Sequence, residues 1–275
     1  MENPQSQFEY GFKTLLLGAT GSGKTFSLKT LADAGLEVFI LFTENGMSTL
    51  RDTDPNKVHW HYVRPVMWDL ASATDMAKKI NTLSFQQLTS LSDPNKMKYN
   101  QMLDIFATLG NFKCDRTGKD FGPVDAWGTD KVLVIDSTSG LNLMSFQLVN
   151  GGKSTSSPGE YQIAMDRIEK FYNMLCLALK TNVVLTGHLE REVDEVSGAQ
   201  RIMISTLGKK LAPKLGRFFD DVVVTYREEK NFFWSTIYTN AETKARLLPL
   251  DNRLAPSFKP IVEASRKSVQ SPSAA

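Results

Sequence analysis

Short apolar runs recur along the chain and alternate with segments of helical periodicity. The runs are rich in Val, Ile, Leu and Phe, as buried strands are. They lie at residues 14–18, 38–42, 58–63, 132–136, 183–186 and 222–226. Residues 25–34 and 161–180 lie between such runs and have the spacing of helices. This alternation predicts an α/β fold with a mostly parallel sheet that is flanked by helices.

The end of the chain departs from this alternation. A further apolar segment at 231–239 follows the last of these strands after a polar turn, which predicts an antiparallel pair at the C-terminal edge of the sheet. Residues 1–255 are expected to form one domain, and the polar residues 256–275 a disordered tail. Residues 150–159 and 190–210 lack periodicity and are expected to be long loops, which in compact domains are usually functional or disordered.

Composition narrows the class of protein. The 275 residues are 41% hydrophobic and 23% charged, which fits a globular domain with a substantial core. The net charge of +2 gives no overall attraction to nucleic acid, so such binding would need local patches. Cys114 and Cys176 lie far apart and indicate neither a disulfide framework nor a zinc site. Since no apolar run has the length of a signal peptide or a membrane span, a cytoplasmic location without membrane contact is expected.

The segment KTLLLGATGSGKTFSLKTL places a glycine-rich loop between an apolar strand and a helix. It matches the pattern G-x-x-x-x-G-K-[ST], in which backbone N–H groups converge on phosphate oxygens at the start of a helix. Lys24 is expected to neutralise β- and γ-phosphate oxygens, and Thr25 to bind Mg²⁺. The sequence therefore predicts binding and hydrolysis of ATP with Mg²⁺. The predicted nucleotide-binding loop comprises Gly18, Ala19, Thr20, Gly21, Ser22, Gly23, Lys24 and Thr25.

Two carboxylates at strand ends extend this prediction. Asp136 ends the apolar run KVLVID and is predicted to bind Mg²⁺ beside the phosphate loop, as a Walker B aspartate does; a turn-forming aspartate is the alternative. Ser137 follows it where many ATPases have a catalytic glutamate, so another carboxylate must orient the attacking water. We predict that role for Glu44, which ends the run VFILFTE on a strand expected beside the phosphate-loop strand. A solvated glutamate is the alternative.

The order of these features resembles that of the RecA-like ATPases. The similarity extends over about residues 11–249 and includes the segments VLVIDSTSGL, VVLTGH and GRFFDDVV. Within that group the chain is most similar to phage RecA-like single-strand annealing proteins, which are often described only as AAA-domain or ATP-binding proteins. The resemblance implies a RecA-like P-loop NTPase that forms a ring or filament, is stimulated by single-stranded DNA, and acts in phage-type recombination or replication in the host cytoplasm. A single-strand-binding protein is a further partner that it implies.

The resemblance also assigns roles to individual residues. It implies that His188, at a strand end, senses the γ-phosphate and takes part in catalysis. It implies that Lys244 and Arg246 reach the γ-phosphate of a neighbouring subunit. It places DNA-contacting loops at 150–159 and 190–210. The basic residues of these loops are Lys153, Arg201, Lys209 and Lys210. A structural histidine and ordinary solvated charges are the alternatives at these positions.

Two other functions are compatible with the sequence. An ATP-switched helicase loader or interaction module would bind nucleotide without direct DNA contact. A P-loop kinase for a small molecule would need an acceptor pocket and an arginine-rich lid, for which the sequence offers only residues 114–122. A larger species that requires both ATP and single-stranded DNA would distinguish the DNA-dependent ATPase from these two alternatives.

Overall fold

The computed structural model describes residues 10–67, 69–90, 96–153, 155–193, 200–208 and 210–270. Strands and helices alternate over most of this part of the chain. The strands are β1 (Lys13–Gly18), β2 (Glu37–Phe42), β3 (Val58–Tyr62), β4 (Lys131–Asp136), β5 (Asn182–Gly187), β6 (Leu189–Val193), β7 (Gln200–Ile204), β8 (Asp221–Glu228) and β9 (Asn231–Ser235). The α-helices are α1 (Lys24–Ser27), α2 (Lys29–Asp33), α3 (Leu70–Thr82), α4 (Phe85–Ser90), α5 (Gln101–Gly110), α6 (Thr138–Asn150), α7 (Pro158–Asn173), α8 (Ala212–Leu215) and α9 (Lys259–Gln270).

The central sheet has seven strands in the order β3-β2-β4-β5-β1-β8-β9. Its strands pair in parallel except for β9, which pairs antiparallel with β8. This confirms the predicted α/β fold with a mostly parallel sheet and an antiparallel C-terminal edge. Every residue of β1 and of β5 is buried, as expected for parallel strands that are covered on both faces.

Helices cover both faces of the sheet and create two apolar layers. On one face, α5, α6 and α7 contribute buried residues such as Ile105, Leu141 and Ile168. On the other face, α2 and α9 contribute Leu31 and Ile261. Because alternate residues of a strand point to opposite faces, each central strand supplies side chains to both layers.

One predicted strand neighbour is wrong. The sequence predicts that β2, which precedes Glu44, lies beside β1. In the structure β2 lies between β3 and β4, whereas β1 pairs with β5 and β8. Buried parallel strands all read as similar apolar runs, so their composition identifies the strands without giving their order.

The end of the chain also differs from the prediction. Over residues 256–275 the sequence predicts a disordered tail, but α9 occupies most of this segment. Phe258, Ile261 and Val262 are buried, and the ring of Phe258 meets Trp234 edge-on at 4.8 Å. These three residues form a narrow apolar stripe within a polar segment, which average polarity conceals. Residues 271–275 lie outside the described residues.

The two predicted long loops contain regular structure. Within 190–210, β6 and β7 form an antiparallel hairpin in which Glu192 lies opposite Arg201. No residue of β6, as described, is buried, so its sequence lacks the alternation that identifies a half-buried strand. Residues 194–199 lie outside the described residues. Within 150–159, α6 continues to Asn150 and α7 begins at Pro158, where Ser157 caps the helix, so the connection is shorter than predicted.

Between β3 and β4 the described residues form three α-helices, α3, α4 and α5. The apolar pattern of residues 102–109 predicts a helix, which α5 confirms, whereas this kind of pattern does not identify α3 or α4, neither of which has a buried residue. Their side chains therefore lack the core contacts that would give them a regular apolar pattern.

Within the described residues, no helix is both long and apolar enough to cross a membrane.

Candidate nucleotide-binding site

The loop between β1 and α1 is fixed at its base and open at its tip. A Cβ atom on Gly18 would collide with Ser22 and Thr225, whereas one on Gly21 would meet no atom within 4 Å. Thr225 Oγ1 donates a hydrogen bond to Ser22 O at 2.7 Å, which attaches the loop to β8. Gly21 and Gly23 have φ values of 75° and 93°, which residues with a Cβ rarely adopt. The loop thus has the backbone shape of a phosphate cradle.

Lys24 lies across the base of this loop. Its Nζ donates to Gly18 O at 2.8 Å and to Ala19 O at 3.0 Å. Burial lowers the pKa of Lys24, while the carboxylates of Asp136 and Glu44 act to raise it. The ammonium group is therefore held among carbonyl oxygens of its own loop, close to two acidic side chains.

Asp136 connects the loop to the neighbouring strands. Its Oδ2 accepts a hydrogen bond from Thr25 Oγ1 at 2.7 Å, and its Oδ1 accepts one from Thr186 Oγ1. Burial raises the pKa of Asp136, while these two hydrogen bonds and the nearby Lys24 act to lower it. The structure brings together the two residues that the sequence predicts as Mg²⁺ ligands, and a hydroxyl with a carboxylate is a donor pair that Mg²⁺ accepts.

Two hydroxyl groups fit a bound polar ligand at this edge of the sheet. Ser22 Oγ lies inside the base of the loop, and Thr138 Oγ1 lies near Gly187 at the end of β5. Both atoms are buried and have no hydrogen-bond partner within the described residues. Buried hydroxyl groups are normally paired, so these two atoms are suited to contacts with nucleotide or with water that accompanies it.

Glu44 reaches the site through the pairing of β2 with β4. Phe42 lies opposite Asp136, and Thr43 Oγ1 both donates to Ser137 O at 2.6 Å and accepts from Ser137 N at 2.9 Å. A Cβ atom on Gly140 would lie 2.7 Å from Thr43 O, so only glycine permits this approach of α6. Glu44 is therefore close to Asp136 and Lys24 although β2 is not the neighbour of β1.

His188 completes the group at the carboxyl end of the sheet. Its Nε2 lies 3.3 Å from Glu44 Oε2. His188 follows β5 and precedes β6, and its carbonyl oxygen accepts a hydrogen bond from Ser205 N at 2.8 Å. The histidine thus links Glu44 to the base of the β6–β7 hairpin.

Lys244 and Arg246 lie at the opposite end of the sheet. Lys244 Nζ donates to Phe219 O, and Arg246 Nη1 forms an ion pair with Asp220 Oδ1 at 2.9 Å. Asp220 N donates to Lys13 O at the first residue of β1, whereas the phosphate loop follows the last residue. Five residue steps of a strand separate these ends by about 16 Å. The structure does not bring this pair to the phosphate loop of its own chain.

The predicted DNA-contacting residues are distributed over three places. Lys153 forms an ion pair with Glu160 at 2.7 Å, and Arg201 lies on β7 opposite Glu192. Lys210 borders a groove that also includes Asp166, Glu169 and Lys214. Lys209 lies outside the described residues. Each described member of the set therefore has acidic side chains nearby.

The sequence did not indicate Thr43, Thr138 or Gly140 as parts of the site. Thr43 and Ser137 are 94 residues apart, and they meet only because β2 pairs with β4. Their one sequence signal is position, since Thr43 directly precedes Glu44, and Thr138 and Gly140 follow Asp136 within four residues. Knowledge of the strand order would have been needed to use that signal.

Comparison with known proteins gives one family match. A family model described as an AAA domain matches residues 11–253. No curated protein matches the sequence. Among solved structures, the RadB recombinase is similar at 13% identity and a TM-score of 0.37, with 88% of this chain and 85% of that chain covered. An ATPase from the type III secretion system of pathogenic bacteria is similar at 12% identity and a TM-score of 0.42, with 88% and 60% covered. TM-scores below 0.5 support no functional conclusion.

Proposed function

The chain belongs to the AAA domain family, and we propose that it is a Mg²⁺-dependent ATPase that acts on single-stranded DNA in phage-type recombination or replication. The observation that carries the proposal is the position of Asp136. Its two oxygens accept hydrogen bonds from Thr25, at the end of the phosphate loop, and from Thr186, at the end of β5. A carboxylate at this place is what a metal-dependent phosphate site requires.

Each polar group of the site has a proposed role in hydrolysis. Thr25 and Asp136 would hold Mg²⁺, which supplies neutralisation of charge on the phosphate oxygens. Lys24 would exchange its bonds to the loop carbonyls for bonds to phosphate oxygens, without disturbing the sheet. Glu44 would orient the attacking water and accept its proton. His188 would exchange its contact with Glu44 for one with the γ-phosphate.

An oligomer is part of the proposal because Lys244 and Arg246 lie at the far end of β1. Arg246 is exposed, with 65% of its side chain accessible, and the pair lies on the surface beside Asp220. A catalytic role for this pair therefore requires the phosphate loop of a neighbouring subunit. In such an arrangement the pair would stabilise the charge of the transition state.

Single-stranded DNA is the proposed partner of the β6–β7 hairpin and the adjacent connection between α6 and α7. The hairpin begins one residue after His188. A shift of His188 on ATP binding or hydrolysis would therefore move the first residue of the hairpin. Lys153, Arg201 and Lys210 would contact the sugar-phosphate backbone, which gives binding that depends on salt and not on base sequence. Lys209 is proposed for the same role from its place in the sequence.

The proposal is tested by ATPase assays and size-exclusion chromatography. We expect phosphate release that requires Mg²⁺ and rises when a single-stranded oligonucleotide is added, together with a larger species that requires both ATP and the oligonucleotide. Duplex DNA of the same length serves as the control. ATP hydrolysis that single-stranded DNA leaves unchanged, without a larger species, would support the loader or interaction module instead.

A further inference from the structure

Asn142 joins three elements near the base of the β6–β7 hairpin. Its Nδ2 donates to Ser205 O at 3.3 Å, and its Oδ1 accepts from Tyr172 OH at 3.1 Å. Asn142 lies on α6, Tyr172 on α7, and Ser205 directly after β7. Asn142 is only 6% exposed and Tyr172 is fully buried, so water does not compete strongly for these bonds. A single amide group therefore fixes the hairpin to two helices.

The residue that Asn142 holds is bonded in turn to the candidate active site. Ser205 N donates to His188 O at 2.8 Å, which closes the base of the hairpin, and His188 Nε2 lies 3.3 Å from Glu44 Oε2. A continuous set of polar contacts therefore leads from Asn142 through Ser205 and His188 to the carboxylate proposed to orient water.

Apolar packing holds this hairpin through few side chains. Leu189, Met203 and Ile204 pack against the core, and Ile204 is the one buried residue among the described residues of β6 and β7. Polar bonds at the base consequently have a larger share in fixing the hairpin than they would have in a buried strand. Helix α6 itself is firmly placed, because it begins beside Asp136 and Thr43 holds the Ser137 peptide at its start.

We infer that Asn142 is a positioning residue for ATP hydrolysis, which sets the position of His188 beside Glu44 and the proposed γ-phosphate site by fixing the base of the hairpin to α6. The inference rests on the proposed ATPase function and extends it to a residue that touches neither nucleotide nor metal. Loss of the Asn142 amide would leave the Ser205 peptide free to move with the hairpin. His188 would then occupy several positions, and the orientation of Glu44 would become less uniform.

The test compares Asn142→Leu with Ser145→Ala. Leucine retains the branched shape and the number of heavy atoms of the asparagine side chain, although it is bulkier, and it removes both hydrogen bonds. Ser145 lies one turn further along the same helix, and its Oγ donates to Ala164 O on α7 rather than to the hairpin. We expect Asn142→Leu to lower kcat about 2- to 30-fold while the Kd for ATP is retained. The melting temperature should also fall, because the Tyr172 hydroxyl and Ser205 O lose their partners. Ser145→Ala should retain kcat.

Tyr172→Phe provides a second variant that changes the packing less. It removes only the hydroxyl group that orients the Asn142 amide, so a smaller fall in kcat is expected, again with unchanged ATP affinity. Should Asn142→Leu fail to fold, this variant alone carries the test. A kcat equal to that of the unaltered chain in Tyr172→Phe and in any folded Asn142→Leu would overturn the inference.

A double-mutant cycle with His188→Ala separates positioning from general stability. If Asn142 acts through His188, Asn142→Leu should have little further effect on kcat when His188 is already alanine, because the side chain that Asn142 positions is then absent. Effects that multiply independently would overturn the inference and leave the ATPase function intact. Absence of hydrolysis in the unaltered chain would overturn the proposed function and this inference with it.

Discussion

The two ends of β1 carry buried lysines in different surroundings. Lys13, at the first residue, donates to Leu179 O at 2.9 Å and to Thr181 O. Lys24, which begins α1 six residues after the end of β1, donates to Gly18 O and Ala19 O at 2.8 and 3.0 Å. The two side chains are 4% and 7% exposed, so burial alone does not distinguish them.

The difference between the two lysines lies in their acceptors. Those of Lys13 belong to a segment 166 and 168 residues away, which this side chain fixes to β1. Those of Lys24 belong to its own loop, only 5 and 6 residues away, beside the open space at Gly21. A ligand can replace the second set without separating elements of the fold. Similar burial therefore fixes separate elements at one end and, under the proposed function, leaves a lysine available to a ligand at the other.

Two buried carboxylates, Asp221 and Asp136, differ in their hydrogen-bond partners in a similar way. Asp221, at the amino end of β8, accepts hydrogen bonds at its Oδ1 from the backbone N–H groups of Arg246, Leu247 and Leu248. Asp136 accepts from two side-chain hydroxyl groups. Burial raises the pKa of both carboxyl groups, and hydrogen bonds act to lower it. Backbone donors are fixed by the fold, whereas hydroxyl groups rotate and can turn to a metal ion or a phosphate.

Arg246→Ala gives the largest expected effect on hydrolysis. It tests whether the amino end of the sheet has only a structural role. If Arg246 serves a neighbouring subunit, hydrolysis should fall about 10³- to 10⁵-fold while ATP affinity is retained. Loss of its exposed ion pair with Asp220 should change the free energy of unfolding by less than about 1 kcal/mol. Steady-state phosphate release and thermal unfolding measure the two quantities.

Mixing variants locates this arginine relative to the nucleotide. Arg246→Ala combined with Lys24→Ala should recover part of the activity, because some interfaces then pair an intact phosphate loop with an intact arginine. If the two proteins demonstrably co-assemble and the mixture stays inactive at every ratio, Lys244 and Arg246 are surface charges without a catalytic role. The amino end of the sheet then contributes only to the fold.

Glu44→Gln should give the next largest effect, at the carboxyl end. The amide retains the shape of the side chain and removes the group that accepts a proton, so we expect hydrolysis to fall about 10²- to 10⁴-fold. The Kd for ATP, measured by calorimetry, should be retained. Full turnover in this variant would move the catalytic base elsewhere, and Ser137 and His188 would be examined next.

Lys24→Met and Lys13→Met form a matched pair that sharpens the comparison directly. Lys24→Met should weaken ATP binding about 10- to 150-fold, as expected for loss of one charge-assisted contact, with little change in melting temperature. Lys13→Met should leave ATP affinity unchanged and lower the free energy of unfolding by about 1–3 kcal/mol, since two carbonyl groups lose their donor. Reversed phenotypes would contradict the assignment of binding and stability to the two ends.

Gly140→Ala should give the smallest effect and tests the close approach of α6 to Thr43. The added methyl group would lie 2.7 Å from Thr43 O, which forces a local shift. We expect a loss of about 1–3 kcal/mol in the free energy of unfolding. Gly159→Ala on α7 is the control, because its Cβ would meet only Ser157 Oγ at 3.8 Å and alanine favours a helix. Equal stability of the two variants would show that α6 has room to move.

Much of the fold was predictable because its strands are strongly apolar. The seven apolar segments predicted as strands coincide with the seven strands of the central sheet, and the antiparallel edge of β8 and β9 is confirmed. The β6–β7 hairpin and α9 were not predicted. Exposed strands have no apolar alternation, and the stripe of Phe258, Ile261 and Val262 is short within a polar segment.

The sequence by itself determined the phosphate loop, because its shape depends on glycines and a helix start that are neighbours along the chain. Only the tertiary structure decided how Glu44 and Asp136 meet. Strand order places β2 beside β4 and brings Thr43 to Ser137 across 94 residues, although the buried strands read alike. The same holds for His188 and Asn142, whose partners depend on a hairpin with little apolar burial. Local backbone geometry is encoded locally, whereas contacts between strand ends depend on how separate elements pack together.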